Sequence, residues 1–424
     1  MIERMDNMKK ILCAIIAMLM LLVSCDKSET PNDTTREIEA YAPVTLSDEP
    51  LSVLLLDPIK YNQGYIYTKV TVSSGSYLVR YNCTTGKTST VCADPLCFHD
   101  NEECPMVGIE IWNVLPNGNI CYSHKFKKNY RNDAGVITKK VDIFDHAVYN
   151  PRDGKKTVLY KYDSGYFSAP ELYSEDYRFY QSIEYNKERE LFVCGLYRMN
   201  LDNGDIKLLL EYAASEEGNS FTVTSNLIML KDNRIYLEGN QSVFSIDFEG
   251  ENRITHLEGS FPSTVYSNGD YVFYKDDDGI YRRSLSGGEE EHIVECDNIY
   301  GDIALTTNWI YWQAGDKITL GKANIPGYSA KEVTLSGGEI YRCRHDGSEL
   351  TKITTMSGEY EHVRPMKLLP AGDYIYTIFT GWQDKNNDGI FTGDEQFTSP
   401  VQGEAARIYR IDTVSGEIIP LDLK

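Results

Sequence analysis

Two stretches of this chain combine residue types and spacings that could do chemistry. The first, VCADPLCFHDNEECP (91–105), gathers three cysteines and a histidine into fifteen residues. Cys92, Cys97, His99 and Cys104 form a complete Cys₃His set of the kind tetrahedral zinc takes, without the close Cys-x₂-Cys pair of a zinc knuckle. In an oxidising compartment the same cysteines suit a disulfide staple, with one sulfur left over unless Cys83 or Cys121 lies near. A cysteine nucleophile with His99 as its base is the third option. The second stretch, DKNNDGIFTGDE (384–395), follows the calcium-loop spacing throughout. Asp384, Asn386 and Asp388 take its positions 1, 3 and 5, and Gly389 its sharp turn. Ile390 offers a backbone carbonyl, Thr392 sits where a water-mediated ligand is common, and Glu395 can bind through both oxygens. Calcium wants six to eight oxygens, and this spacing wraps them around one point.

Both stretches are carried by a repetitive chain. Ile-Tyr-Arg recurs at 280–282, 340–342 and 408–410, in IYRRSLSGGEEEHI, IYRCRHDGSELTKI and IYRIDTVSGEIIPL. Looser copies start at 78 (LVRYNCTTGKTSTV), 147 (AVYNPRDGKKTVLY), 196 (LYRMNLDNGDIKLL) and 243 (VFSIDFEGENRITH), making seven. Each copy alternates apolar and polar residues, turns at an Asx- or Ser-rich step ending in glycine, and alternates again, which is the pattern of a β-hairpin. A second strand pair precedes the clearer copies, as in NGDYVFYK and AGDYIYTIFTG. Four strands per unit with little helical periodicity predict an all-β fold, a single β-propeller of seven four-stranded blades, with six or eight as alternatives. The 31 tyrosines suit half-buried strands, apolar in body and polar at the tip.

The segments NGDYVFYKDDDGIYRRSLSGG and WIYWQAGD (309–316) resemble propeller repeats of the low-density-lipoprotein-receptor type. They are most similar to those of bacterial lipoproteins that carry such a propeller of unassigned function. That group shares a Cys…Asp-Pro-Leu-Cys…His…Cys-Pro stretch, here Cys92, Asp94, Pro95, Leu96, Cys97, His99, Cys104 and Pro105. The resemblance runs from about residue 50 onward. A strict Tyr-Trp-Thr-Asp is reduced to Tyr311-Trp312, so receptor-like ligand binding is not carried over.

The N-terminal residues predict a compartment. Lys9 and Lys10 precede an apolar run (11–23) that is short for a bilayer span and shaped like a signal-peptide core. It ends in Leu22-Val23-Ser24-Cys25, which resembles a bacterial lipobox and implies that Cys25 is lipidated and becomes the mature N-terminus. The expected organisation is a signal peptide over 1–25, a polar tether over 26–45 and the propeller over 46–424. The chain would then sit in the cell envelope on the extracytoplasmic side, held to the membrane through its lipid anchor alone. The net charge of −21 argues against nucleic acid as a partner.

In an up-and-down blade with strands a to d running outward, b–c loops and d-to-a connections share one face. The cysteine stretch, a basic segment (125–140) and the calcium loop all fall on that face, and they are expected to crowd around blades 7, 1 and 2. Tyr122, Phe126, Lys127, Lys128, Tyr130 and Arg131 are its candidate binding residues. Motifs for hydrolysis are thin: Gly-x-Ser-x-Gly, His-Glu-x-x-His and sialidase-type boxes are missing, and GDKITLGKA (315–323) matches a P-loop only superficially. The leading expectation is a monomeric binding or scaffold module for a glycan, peptide or envelope protein, with calcium as a structural ion and zinc as the alternative to a disulfide. A polysaccharide hydrolase or lyase using axial carboxylates, and an envelope-assembly factor, are the other readings.

Overall fold

The computed structural model describes residues 42–424 apart from 52–58, 73–74, 95–96, 98–103, 132–136, 163–170, 187, 216–224, 240, 326–330, 358–359, 361, 383, 387, 393–395, 399–407, 422 and 424. Cys25, His99 and Glu395 lie outside these residues. Among the described residues seven four-stranded antiparallel sheets follow one another along the chain, at 60–90, 109–162, 171–215, 225–258, 266–295, 300–355 and 369–420. They are the blades of a β-propeller. Within each, strands a to d are neighbours in order, and the first strands of blades 1 and 2 and of each successive pair from 3 to 7 approach one another.

Burial explains why the blades must stack. A single four-stranded sheet leaves both apolar faces bare, and here each face is covered by the next blade. Tyr67 and Leu78 of blade 1 pack with Trp112 and Tyr122 of blade 2, and Cys121 and Val148 of blade 2 with Leu201 of blade 3. Phe179 of blade 3 meets Leu237 of blade 4, Val243 meets Val272 of blade 5, and Phe273 meets Trp312 of blade 6. Tyr311 then meets Ile375 of blade 7. The cycle closes where Ile66 and Val79 of blade 1 pack against Leu369 and Tyr376 of blade 7.

The recurring c–d turn is built by one device. In blades 1, 2, 3 and 7 an Asx residue accepts two backbone N–H bonds through its side chain, or one in blade 2, while its own carbonyl accepts from the glycine four residues on. That glycine has positive φ in every copy. In four blades it also touches the preceding blade. A Cβ on Gly204, Gly250, Gly347 or Gly416 would come within 2.3, 2.6, 2.1 or 2.5 Å of the Leu159, Leu209, Ile293 or Ile353 carbonyl oxygen. The repeat glycines therefore set how closely one blade can approach the next.

No strand from one end of the described chain completes the sheet at the other. Residues 42–51 instead cross the a–b turns of blades 1, 7 and 6. The Val44 N–H donates to the Gln63 carbonyl, Gly372 N–H to Asp48, Thr307 N–H to Glu49, and Leu51 N–H to Leu305, at 2.8–3.0 Å. The buried Asp48 carboxylate accepts from Asn308 N–H, Asn308 Nδ2 and Thr307 Oγ1 at 3.0–3.2 Å. Ala42 and Val44, expected in the tether, are thus already bonded to blade 1.

These contacts make Gly347→Ala and Gly287→Ala an informative pair, since Gly287 also has positive φ but nothing within 4 Å of its would-be Cβ. Gly287→Ala should lose about 1–2 kcal/mol, the left-handed backbone penalty alone. Gly347→Ala should lose clearly more, because the Ile293 backbone must also move. Equal denaturation midpoints for the two variants would contradict the inter-blade role of the turn.

Candidate functional site

The face that carries b–c loops and d-to-a connections holds every large elaboration of the ring. The calcium-type loop lies between strands b and c of blade 7, but its neighbour is blade 6. Blade 6 has its own b–c insertion, a hairpin of Ile318–Ala323 and Glu332–Leu335. The short strand Ile390–Phe391 of the loop pairs in parallel with Ile318–Ala323. Lys322 N–H donates to the Gly389 carbonyl at 3.0 Å and Asn324 N–H to the Phe391 carbonyl at 2.8 Å. The expected crowding around blades 7, 1 and 2 is therefore corrected: the loop belongs to a blade 6–7 sector, because the blade 6 insertion offers it an open strand edge.

The sequence GDKITLGKA forms this strand. Gly321 is required there, since a Cβ would lie 2.5 Å from the Gly389 oxygen and 2.8 Å from the Phe391 ring. A small core of Val333, Trp382 and Phe391, flanked by Leu320, Ala323 and Ile325, fills the space between hairpin and loop.

Inside the loop the oxygens converge. Asp388 N–H is shared by Asp384 Oδ1 at 3.2 Å and Asn386 Oδ1 at 3.1 Å, while Gly389 N–H donates to Asp384 Oδ2 at 2.9 Å. Ile390 N–H donates to Asp388 Oδ1 at 2.7 Å, and Gly389 turns the chain with φ of 70°. The Gly389 and Phe391 carbonyls are taken by the neighbouring strand, and strand alternation turns the Ile390 carbonyl the other way. Thr392 is half-buried beside them. Hard oxygen donors on a tight turn are what calcium requires, so these residues fit the ion.

Between the hairpin and the rim of blade 6 lies a cleft of about 590 Å³. Asp297, Asp316 and Glu339 place carboxylates along it, and Ile318, Leu335 and Tyr341 supply its apolar walls. Ile318 and Leu335 face each other in register across the hairpin base. Lys352 Nζ lies 2.6 Å from Glu339, whereas Asp316 accepts from the neutral Asn298 Nδ2 at 3.2 Å. The Tyr341 ring stacks on Trp312 with centroids 5.7 Å apart.

On the opposite side of blade 7 the 91–108 connection returns to blade 1, with Val107 bridged to Tyr77. It brings the Sγ atoms of Cys92, Cys97 and Cys104 within 4.8 Å of one another. Cys92 and Cys104 are buried in the blade 1–2 core and Cys97 is half-buried. A hydrogen bond with Cys92 and burial push the Cys104 thiol far above its usual range. Cys83 and Cys121 do not join this group. Cys83 sits against Tyr376 at the blade 7–1 seam, and Cys121 lies 3.2 Å from His146 at the blade 2–3 seam.

The described part of the basic segment lies in the outer half of a long strand pair, Ile120–Arg131 with Ile137–Tyr149, whose residues Phe126, Lys127, Lys128, Tyr130 and Arg131 extend past the pairing with strands a and d. Tyr122 is corrected from the binding face: it is 1% exposed, within the blade 1–2 core. Blade 3 has a similarly long hairpin, Tyr177–Asn186 with Leu191–Asn200, exposing Ile183 and Tyr185. At the axis, Asp302 lies 3.8 Å from Lys367 and lines a small cavity with Tyr266. Burial raises the Tyr266 hydroxyl, reinforced by Asp302 and Glu238, and burial also raises the Glu238 carboxyl.

Asp384→Ala removes one candidate ligand and the acceptor that bends the loop. It should weaken calcium binding at least about tenfold in isothermal titration. An unchanged affinity would place calcium elsewhere.

No protein-family model and no curated protein matches the sequence. Solved structures similar to this chain include the β-propeller domain of the Trilobed protease from Pyrococcus furiosus, at 8% identity and TM-score 0.45 over 89% of this chain and 97% of that one. An oligogalacturonate lyase in complex with manganese matches at 10% identity and TM-score 0.43, over 88% and 97%. Pyrococcus horikoshii acylaminoacyl peptidase matches at 9% identity and TM-score 0.45, over 86% of this chain and 52% of that one, so this chain spans about half its length. Such likenesses say nothing of activity, and the propeller architecture stands on the seven sheets themselves.

Proposed function

We propose that this protein is an extracytoplasmic binding module, tethered through a lipidated Cys25, that receives a basic peptide segment of an envelope protein in the blade 6 cleft. The observation that carries this reading is the cleft itself: about 590 Å³, bordered by carboxylates of which Asp297 and Asp316 form no ion pair among the described residues. A lysine or arginine side chain matches it, with an apolar stem for Ile318 and Leu335 and a cationic head for the acids. A bound calcium would fix the loop that holds one wall of the cleft, giving the ion a structural role. The 91–108 connection, stiffened through its three sulfurs, would shape the same face. An anionic glycan is disfavoured at the cleft by charge; the basic tip of the blade 2 hairpin is the place that would draw one.

One observation favours a second reading as a hydrolase or lyase. Glu238, with its raised carboxyl, and Asp302 both act on Tyr266 near the axis, and raised carboxyls serve as general acids.

The two readings part on mutation. Binding of a lysine-rich peptide, followed by fluorescence anisotropy, should weaken about tenfold in Asp316→Asn and be unchanged in Glu238→Gln. Retained affinity in Asp316→Asn would remove the cleft as the site, and polysaccharide cleavage lost in Glu238→Gln would establish the enzyme instead.

A further inference from the structure

We propose that Cys92, Cys97 and Cys104 bind zinc(II) as a three-thiolate site that fastens the 91–108 connection to the blade 1–2 core. This rests on the reading above that the connection is a stiffened element, and it names what stiffens it.

Zinc–sulfur bonds of about 2.3 Å at tetrahedral angles set sulfurs roughly 3.8 Å apart. The three Sγ atoms here all lie within 4.8 Å of one another, so small side-chain rotations bring them into that range. A disulfide at about 2.0 Å would use two of the three sulfurs. The third would have no further cysteine to join, because the other described cysteines are placed elsewhere. Cys83 lies in the blade 7–1 seam, Cys121 in the blade 2–3 seam, and Cys343 and Cys296 in or against the blade 5–6 core. Cys194 is buried within blade 3.

The surroundings suit a thiolate–metal site as well. Cys92 and Cys104 are each 3% exposed, in a core that includes Met106 and Val107, so water is kept from two of the three donors. The Val107 N–H donates to the Cys104 carbonyl at 3.1 Å and so fixes the backbone that carries this sulfur. Cys97 is half-buried and gives an ion a way in. Its position is fixed locally, where Cys97 N–H donates to the Asp94 carbonyl at 3.2 Å. On binding, each thiol releases its proton to solvent: one zinc(II) ion and three thiols become a tris-thiolate complex and three protons, with no change of oxidation state. Three thiolates this close together would repel one another, and the dication offsets that charge.

The test is metal analysis of the purified full chain, together with alkylation of the native protein. One zinc per chain is expected, replaceable by cobalt(II) with a thiolate-to-metal charge-transfer band. Cys97→Ser, chosen because this side chain is the least buried of the three, should bind zinc about 100-fold more weakly. Cys194→Ser, in blade 3 and away from both the cysteine trio and the cleft, should keep it, and an unchanged far-ultraviolet circular dichroism spectrum serves as the check that either variant is folded. If zinc is absent and two sulfurs resist alkylation until reduction, a disulfide is the staple: the zinc proposal fails and the stiffened-connection reading survives. If zinc is absent and all three thiols alkylate at once in the native protein, both fail. If zinc binds equally well in Cys97→Ser, the ion is held elsewhere and the proposal is overturned.

Discussion

The fold depends on one constraint: a four-stranded blade cannot cover its own faces, so every blade must press against two others. The seven apolar layers meet that constraint, and the c–d turn sets the distance at which they do. Where the glycine of one turn rests on the backbone of the preceding blade, even a methyl group has no room. The turn is thus a spacer as well as a reversal of the chain. Because each layer needs the next, the ring gains its last interface only when blade 7 meets blade 1. Residues 42–51 span that seam, with the buried Asp48 carboxylate holding blade 6 and its carbonyl holding blade 7. The strap that crosses the blade 7–1 interface continues over blade 6.

A closed ring with short turns on one face leaves the other free to vary. Blades 4 and 5 keep tight b–c turns, while blades 2, 3, 6 and 7 grow hairpins and insertions. The blade 6 and 7 insertions are more than neighbours. They share a three-stranded sheet and a small apolar core. The calcium-type loop on one edge of that sheet is mechanically joined to the cleft wall on the other. Ile318 stands at one end of a strand whose other end pairs with Ile390. Order in the loop should therefore become order in the cleft, which is how a structural ion can govern binding without touching a ligand.

Much of this was legible in the sequence. The Ile-Tyr-Arg repeats and their turn glycines located all seven outer hairpins, because alternation and positive-φ residues are local signals. The spacing of Asp384, Asn386, Asp388 and Gly389 was equally local, and the loop geometry follows it. What escaped was set by partners distant in sequence. The strand in GDKITLGKA carries no marker that its edge will receive residues 390–391, and Gly321 appears idle until Gly389 is placed against it. The same holds for the cleft, which brings together residues from 296 to 356 on four separate segments. Tyr122 was misplaced for a related reason. It adjoins a basic hairpin tip in sequence, but strand alternation at the base of that hairpin turns it into the blade 1–2 core. The convergence of Cys92, Cys97 and Cys104 could be suspected from spacing, whereas the separation of Cys83 and Cys121 from them required the ring.

The most direct measurement is hydrogen exchange of the purified protein with calcium and with chelator. The account predicts that calcium slows exchange at the backbone amides of 318–323 and 332–335, the cleft-wall hairpin, while blades 4 and 5 are unchanged. Exchange in that hairpin that is indifferent to calcium, or a change spread evenly through all seven blades, would contradict the coupling of loop to cleft.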